Sequence, residues 1–380
     1  MRRLYLYWDS RNLEGALGMI APNFPNGIIC PGLQELIWEA DSATLPFRRL
    51  FFSPRLSKFS LTYTSHAEDA LSKIKPAILE LDTFPLRNLH LEWCIPEEAT
   101  RQMESIASSA VLRCGPTLEA LSVLTPLSDA AVQHIMQLPV LVSWSTRSAP
   151  PKRSDLSLSD AFPQLEYLEL YTEASLQWLP LFGTTLRRIS SGQNSYDRGP
   201  IPKLILLECL APTPVNSVFL SPIMLFHGLE ELILESPCSA ADGCAFNLTD
   251  DDVAKIASAL PNLEYAAFGR VCRADSCKTT VSSLLFLSVG CKKLRSLEIH
   301  FNMGNLCDDL ESISENPRLC DLCALSRCQL KSLGISEAPF RSTEEDYERL
   351  AAGFLFIFPD LRRIGGTSWN KLSSRLHNRE

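Results

Sequence analysis

The chain lacks any apolar run of membrane-spanning length. Its greasiest stretches, 218–226 and 354–358, fall far short of the ~20 residues a transmembrane helix needs. It lacks a cation excess as well: 36 Lys and Arg against 44 Asp and Glu leave a net charge of −8, which argues against a general nucleic-acid or anionic-membrane binder. Cysteine is too sparse for a disulfide-stapled secreted scaffold, and its count of 13 is odd, so reduced thiols are expected. The start, Met1-Arg2-Arg3-Leu4-Tyr5-Leu6-Tyr7-Trp8-Asp9, meets an acid before any apolar region of signal-peptide length. The expectation is a soluble chain of the cytoplasm or nucleus.

Catalytic signatures are missing too. There is no Gly-rich phosphate loop, no H-E-x-x-H and no G-x-S-x-G. The six His (66, 90, 134, 227, 300 and 377) are too scattered to form a metal pair in sequence. Cys307, Cys320, Cys323 and Cys328 are the most suggestive cluster, because a Cys-x-x-Cys turn presents two sulfurs to one zinc. The interleaved Leu319, Leu322, Leu325 and Leu330 favour buried thiols instead. A thiol hydrolase built from one Cys with His134 or His227 is the enzymatic alternative. No cofactor, metal site or catalytic residue is expected.

What the chain has in abundance is one motif, Leu-x-x-Leu-x-Leu. Its clearest copies start at Leu33, Leu86, Leu165, Leu229 and Leu294, and weaker ones start at Leu56, Leu118, Leu138, Leu186, Leu204, Leu263, Leu330 and Leu361. Consecutive starts lie 18 to 36 residues apart, and Leu4-Tyr5-Leu6 reads as the tail of a further copy. Alternation at the second and third Leu marks a short strand with one buried face. A single unit would expose that face, so neighbours must stack. The expected fold is α/β: an irregular solenoid over 1–380 with a parallel sheet on the concave side and helices or loops on the convex side.

Several return segments carry helix signals. Thr249 to Leu260 combines an Asp-rich start with apolar residues at helical spacing, and 97–112, 128–138 and 343–357 follow the same logic. The short, Gly- and Pro-containing return at 190–202 predicts a loop, as does the basic 149–154. Within 341–380 an apolar stripe of Tyr347, Leu350, Phe354, Ile357 and Phe358, completed by Trp369 and Leu372, predicts a cap over the last repeat. No polar cap is visible at the other end, which predicts an exposed apolar edge there.

If motif positions one, four and six turn inward, positions three, five and seven face the concave side, and the eighth is assigned there with them. That surface includes Glu92 and Trp93; Tyr167, Glu169 and Tyr171; Glu235; and Glu298 and His300. Trp93, Tyr167 and Tyr171 are the expected anchors for a protein partner, because aromatic side chains bury much area with few rotamers to freeze. The four Glu supply a negative face for a basic partner, and His300 is expected to be solvated. Trp38, in sixth position, belongs to the core.

These residues resemble a leucine-rich repeat domain, and the irregular lengths resemble the substrate-recognition region of fungal F-box proteins with leucine-rich repeats. The resemblance implies a non-catalytic protein-recognition scaffold, the substrate-binding part of an SCF-type ubiquitin ligase receptor. A ligase adaptor would join only through an F-box supplied elsewhere, because the first visible segment here is already strand-like. A structural assembly scaffold without an exchangeable substrate is the alternative within the same fold.

Overall fold

The computed structural model describes residues 2–7, 10–24, 27–64, 70–93, 100–146, 162–170, 188–191, 220–234, 248–269, 277–302, 306–325, 328–335, 343–365 and 369–377. They fall into two compact units, Met1–Leu168 and Glu169–Glu380. The expected loop at 149–154, residues 192–202 of the one expected at 190–202, the copy starting at Leu204, Tyr171 and Glu235 lie outside the described residues, while Ser190 and Ser191 belong to a strand.

In the first unit, strands β1 (Arg3–Leu6), β2 (Glu35–Ala40), β3 (Lys58–Tyr63), β4 (Asn88–Trp93), β5 (Ala120–Val123) and β6 (Ser143–Thr146) pair in chain order, each parallel to the next. Parallel neighbours need a crossover. Helices α1 (Ser10–Ile20), α2 (Ala70–Leu79), α3 (Thr100–Arg113) and α4 (Asp129–Met136) supply four of them, and a 3₁₀ segment, Leu45–Leu50, supplies the one between β2 and β3. Strand β7 (Tyr167–Leu170) lies where the first unit ends and the second begins.

In the second unit, β8 (Arg188–Ser191), β9 (Glu231–Leu234), β10 (Tyr265–Phe268), β11 (Ser296–Ile299), β12 (Ser332–Ile335) and β13 (Arg363–Gly365) again pair parallel and in order. Their described returns are α5 (Asp250–Ala259), α6 (Ser282–Gly290), α7 (Leu306–Glu315), α8 (Pro317–Leu325) and α9 (Glu344–Ile357), with α10 (Asn370–His377) after β13. Each unit is thus a solenoid-like α/β array.

One backbone device sets the register in both. At the entries of β2 to β7 and β10 to β13, two successive N–H groups donate to a single carbonyl one repeat earlier: Arg87 and Asn88 to Ser57 at 2.7 and 3.0 Å, Val142 and Ser143 to Glu119 at 2.8 and 3.1 Å, Lys331 and Ser332 to Arg295 at 2.9 and 3.2 Å. The device also locates each motif, since its third position opens the strand. All described copies comply except the one expected at Leu138, where β6 begins at Ser143 and Leu141 is therefore the leading residue. Leu138 instead closes the turn after α4, its N–H donating to Ile135 O at 3.1 Å.

Burial follows the motif. Leu33, Leu36 and Trp38, at positions one, four and six, are wholly buried, and β2 reads half-buried and buried in strict alternation. Removing these side chains from water is the main term holding the layers together. Helix starts match their signals. Thr249 with Asp252 and Thr343 with Asp346 form capping boxes on α5 and α9, and Ser128 caps α4. Phe354, Ile357, Phe358, Trp369 and Leu372 are fully buried under the end of the array, with Phe354 and Trp369 edge to face. At the first strand of the first unit, Tyr5 and Tyr7 stack at 6.2 Å and Met19 is largely exposed.

Candidate functional site

Odd motif positions lie on the strand face opposite the buried leucines. Register aligns them into rows: Glu35, Lys58, Asn88, Ala120 and Ser143 in one, and Ile37, Ser60, His90, Ser122 and Ser145 in the next. On β5 and β6 all four of these side chains are small, whereas Lys58, Asn88 and His90 rise beside them. The height difference makes a groove of about 260 Å³ across β2 to β6, floored by the strands themselves.

Its chemistry is polar and mixed. Glu35 accepts an ion pair from Arg3 at 2.8 Å, and Glu92 lies 3.7 Å from His90 Nε2. Serine hydroxyls at 60, 122, 143 and 145 both donate and accept. A groove this small and open lies just below the ~300 Å³ at which drug-sized ligand pockets begin.

The expected site residues divide. Glu92 lies on the open face, half-buried. Tyr167 and Glu169 share the open face of β7, opposite in parity to the fully buried Leu168, and both are half-buried. Trp93 does not join them. It has the parity of Leu89 and Leu91, it is aligned with the wholly buried Tyr63, and its Nε1 is shut away from solvent. An eighth position repeats the inward phase of the fourth and sixth, so Trp93 turns toward the core side.

His300 is also corrected. It is only 7% exposed, because the segment at 277–279 folds against it: Thr279 Oγ1 donates to His300 O at 3.0 Å, and the Cys277 thiol meets both atoms. Glu298 is half-buried on the open face of β11 and accepts the Tyr265 hydroxyl at 2.8 Å. Tyr265, from a weak copy of the motif, was not among the expected site residues. Neither were Ser122, Ser143 and Ser145. Their signal was the run of small residues at positions three and five of adjacent repeats, half of which the misplaced start at Leu138 concealed.

The histidines named for thiol chemistry are engaged with backbone. His134 Nε2 meets Cys114 O at 3.1 Å and His227 Nδ1 meets Ala259 O at 2.8 Å. The Cys114 thiol donates to Ala110 O, and burial pushes its pKa up to about 12, so it carries no thiolate for nucleophilic attack at neutral pH. In the zinc candidate, Cys320 donates to Ser314 O and Cys328 to Leu294 O, while the side chain of Cys323 lies outside the described residues. Among the described residues no three His, Cys, Asp or Glu side chains gather to hold a metal, and no helix is long and apolar enough to cross a membrane.

No family model and no curated protein matches the chain. Among solved structures it is similar to a chain of the yeast Rad7 and Elc1 complex, with 16% identity over 93% of this chain and 82% of that one and a TM-score of 0.42. It is also similar to the leucine-rich repeat-containing protein LegL7 from Legionella pneumophila, with 11% identity over 98% and 95% and a TM-score of 0.39. Likenesses this distant transfer neither partner nor role.

Proposed function

We propose that the chain is a non-catalytic protein-recognition domain, and that the groove across β2 to β6 receives an extended segment of its partner. The observation that carries this is the row arrangement itself: small hydroxyl side chains on β5 and β6, flanked by Lys58, Asn88 and His90 over five paired strands. Strands fix the side chains, so little order must be created on binding. Serines, Asn88 and His90 offer hydrogen bonds to a peptide backbone, and Glu35 and Glu92 add a negative margin for basic side chains. The substrate-reading role in a ubiquitin ligase is the specific form of this reading that the motif resemblance implies. An assembly role without an exchangeable substrate uses the same groove but a permanent partner.

The test is affinity purification with mass spectrometry, comparing the natural chain with a Ser60→Arg, Ser122→Arg double variant that fills the groove. A Lys75→Glu change on α2 serves as control, and circular dichroism verifies folding. Partners lost only in the double variant support the groove. A cullin adaptor among the retained proteins supports the ligase role, and its absence removes that role. Partners equally retained by all three chains overturn the groove assignment.

A further inference from the structure

From β9 to β13 of the second unit, the side chain that enters each strand changes sign along the array. The backbone bonds at strand entry stack Glu230, Glu264, Arg295, Lys331 and Arg362 in consecutive steps: Glu264 N to Glu230 O at 2.7 Å, Arg295 N to Glu264 O at 2.8 Å, Lys331 N to Arg295 O at 2.9 Å and Arg362 N to Lys331 O at 3.0 Å. Adjacent parallel strands lie ~4.8 Å apart, so the three cations occupy about 10 Å of rim. Lys292 and Lys293 approach β11 on the same rim, and Arg363 stands on the open face of β13, aligned with Ser332. All six are exposed. Among the described residues, Asp360 precedes Arg362 by two positions, and at the border Glu264 pairs with Arg295 at 3.6 Å.

Beside this rim the open face of β13 carries no side chain at Gly365, whereas the space over Gly334 on β12 is taken by Glu298, whose Cγ stands 2.9 Å from where a Cβ at 334 would be. Positions three and five of β12 and β13 are Ser332, Gly334, Arg363 and Gly365. A Cβ added at Gly365 would meet only ordinary contacts, Gly334 Cα at 3.8 Å and Leu333 O at 3.9 Å. A position without a side chain, as at Gly365, lets another backbone approach closely. Glu298 bounds this face on the β11 side, with its carboxylate held by Tyr265.

We propose that the rim of β11 to β13 and the bare Gly365 beside Arg363 bind an extended acidic segment of a partner protein. Its carboxylates would meet Lys331 and Arg363, with Arg295 and Arg362 adding positive charge on either side, while its backbone lies over Gly365. Charge complementarity sets the sign of the partner, because this concentration of cations stands out on a chain of net charge −8. The length of the rim sets its class. Three entry cations over about 10 Å, beside the bare Gly365, suit a short acidic stretch of polypeptide, whereas affinity for a nucleic acid is built from ~6–10 phosphate contacts along a longer track.

The experiment is fluorescence anisotropy of a fluorescein-labelled alternating Glu-Gly peptide titrated with the full chain. It compares Lys331→Glu, Arg362→Glu, Arg363→Glu with the equally charged control Arg2→Glu, Arg55→Glu, Lys75→Glu. The expected result is saturable binding, weakened about tenfold or more in the rim variant and less than about twofold in the control. If thermal melts show the rim variant misfolded, Lys331→Gln with Arg363→Gln replaces it, with a loss of about threefold or more expected. Absence of saturable binding, equal weakening in rim and control variants, or tighter rim-dependent binding of a single-stranded oligonucleotide of matched charge each overturns the proposal.

Discussion

Gly334 leaves the space that the side chain of Glu298 occupies: a Cβ at position 334 would stand 2.9 Å from Glu298 Cγ, while Glu298 Oε1 accepts the Tyr265 hydroxyl at 2.8 Å. One side chain thus bonds to the strand on one side and takes the space left by the strand on the other. Gly334→Ala forces a rotation about the middle of the Glu298 side chain, and the Tyr265 bond breaks with it. Steric cost then outweighs the entropy gained by replacing a glycine, and the expected net effect is a destabilisation of about 1–2 kcal/mol. Tyr265→Phe alone should cost about 1 kcal/mol. Urea unfolding of both single variants and the double variant checks the pairing. The double should fall short of the sum, and strict additivity would show that Glu298 does not link the two positions.

Asp250 caps a helix that is not its own. It opens α5, yet its carboxylate accepts Thr280 N at 2.7 Å, Thr280 Oγ1 at 2.6 Å and Ser283 Oγ at 2.5 Å, all at the start of α6 in the next repeat. Ser283 is wholly buried, so no water replaces the lost acceptor. Asp250→Ala should cost about 2–3 kcal/mol. Asp251→Ala, an exposed acid in the same first turn of α5, removes a similar helix-dipole contribution of about 0.5 kcal/mol without touching α6. Thermal melts of the two variants side by side test this; equal effects would reduce Asp250 to a dipole residue.

The leucine positions were legible because burial fixes their chemistry: only large apolar residues fit at 33, 36 and 38, and the period-two alternation around them is unambiguous. Register was less so. Leu138 and Leu141 are three apart and either can lead a motif, and the choice is made by Glu119 O, the carbonyl that Val142 and Ser143 share. Trp93 was misplaced by extending the open-face positions past the seventh without keeping the parity. His300 has open-face parity, and it is covered by a segment more than twenty residues earlier that no local pattern announces. Helix α6 also carries little amphipathic signal, since Ser283 and Ser288 are as buried as Leu284 and Leu287. The basic rim was invisible for a different reason. Its residues are scattered from position 292 to 363, and only the stacking of repeats makes them neighbours.

Three thiols predict how stability declines in alkali. Burial pushes Cys114 and Cys291 up to about 12 and Cys328 up to about 11, and Cys291 is raised further by Cys328. The folded chain thus keeps protons that the unfolded chain releases from about pH 8.5 upward. The stabilisation is complete below that value and is lost as pH rises toward the folded pKa values, because over that window the unfolded state binds fewer protons. Urea midpoints measured from pH 7.5 to 10.5 should fall. In Cys291→Ala the decline should be shallower by up to about 1.4 kcal/mol per pH unit, the share of one thiol. An unchanged slope would mean that Cys291 ionises in the folded chain as it does in the unfolded one.

Acid acts in the opposite sense on the last long helix. The Asp346 carboxylate accepts Thr343 N at 2.7 Å and Thr343 Oγ1 at 2.8 Å, and these bonds, with the Arg349 guanidinium adding to them, hold its pKa below the ordinary range. Glu311 is lowered in the same way by its hydrogen bond from Arg349. A depressed carboxylate stabilises the fold above its unfolded pKa, and that contribution disappears as pH falls through the folded value. Helix α9 carries Leu350, Phe354 and Ile357 into the core, so loosening its start weakens the end of the second unit. Asp346→Ala should therefore melt below the natural chain at pH 7, with the gap closing as pH falls through the lowered folded pKa and the natural carboxyl takes up its proton. A gap that persists in acid would assign the role of Asp346 to packing and not to its charge.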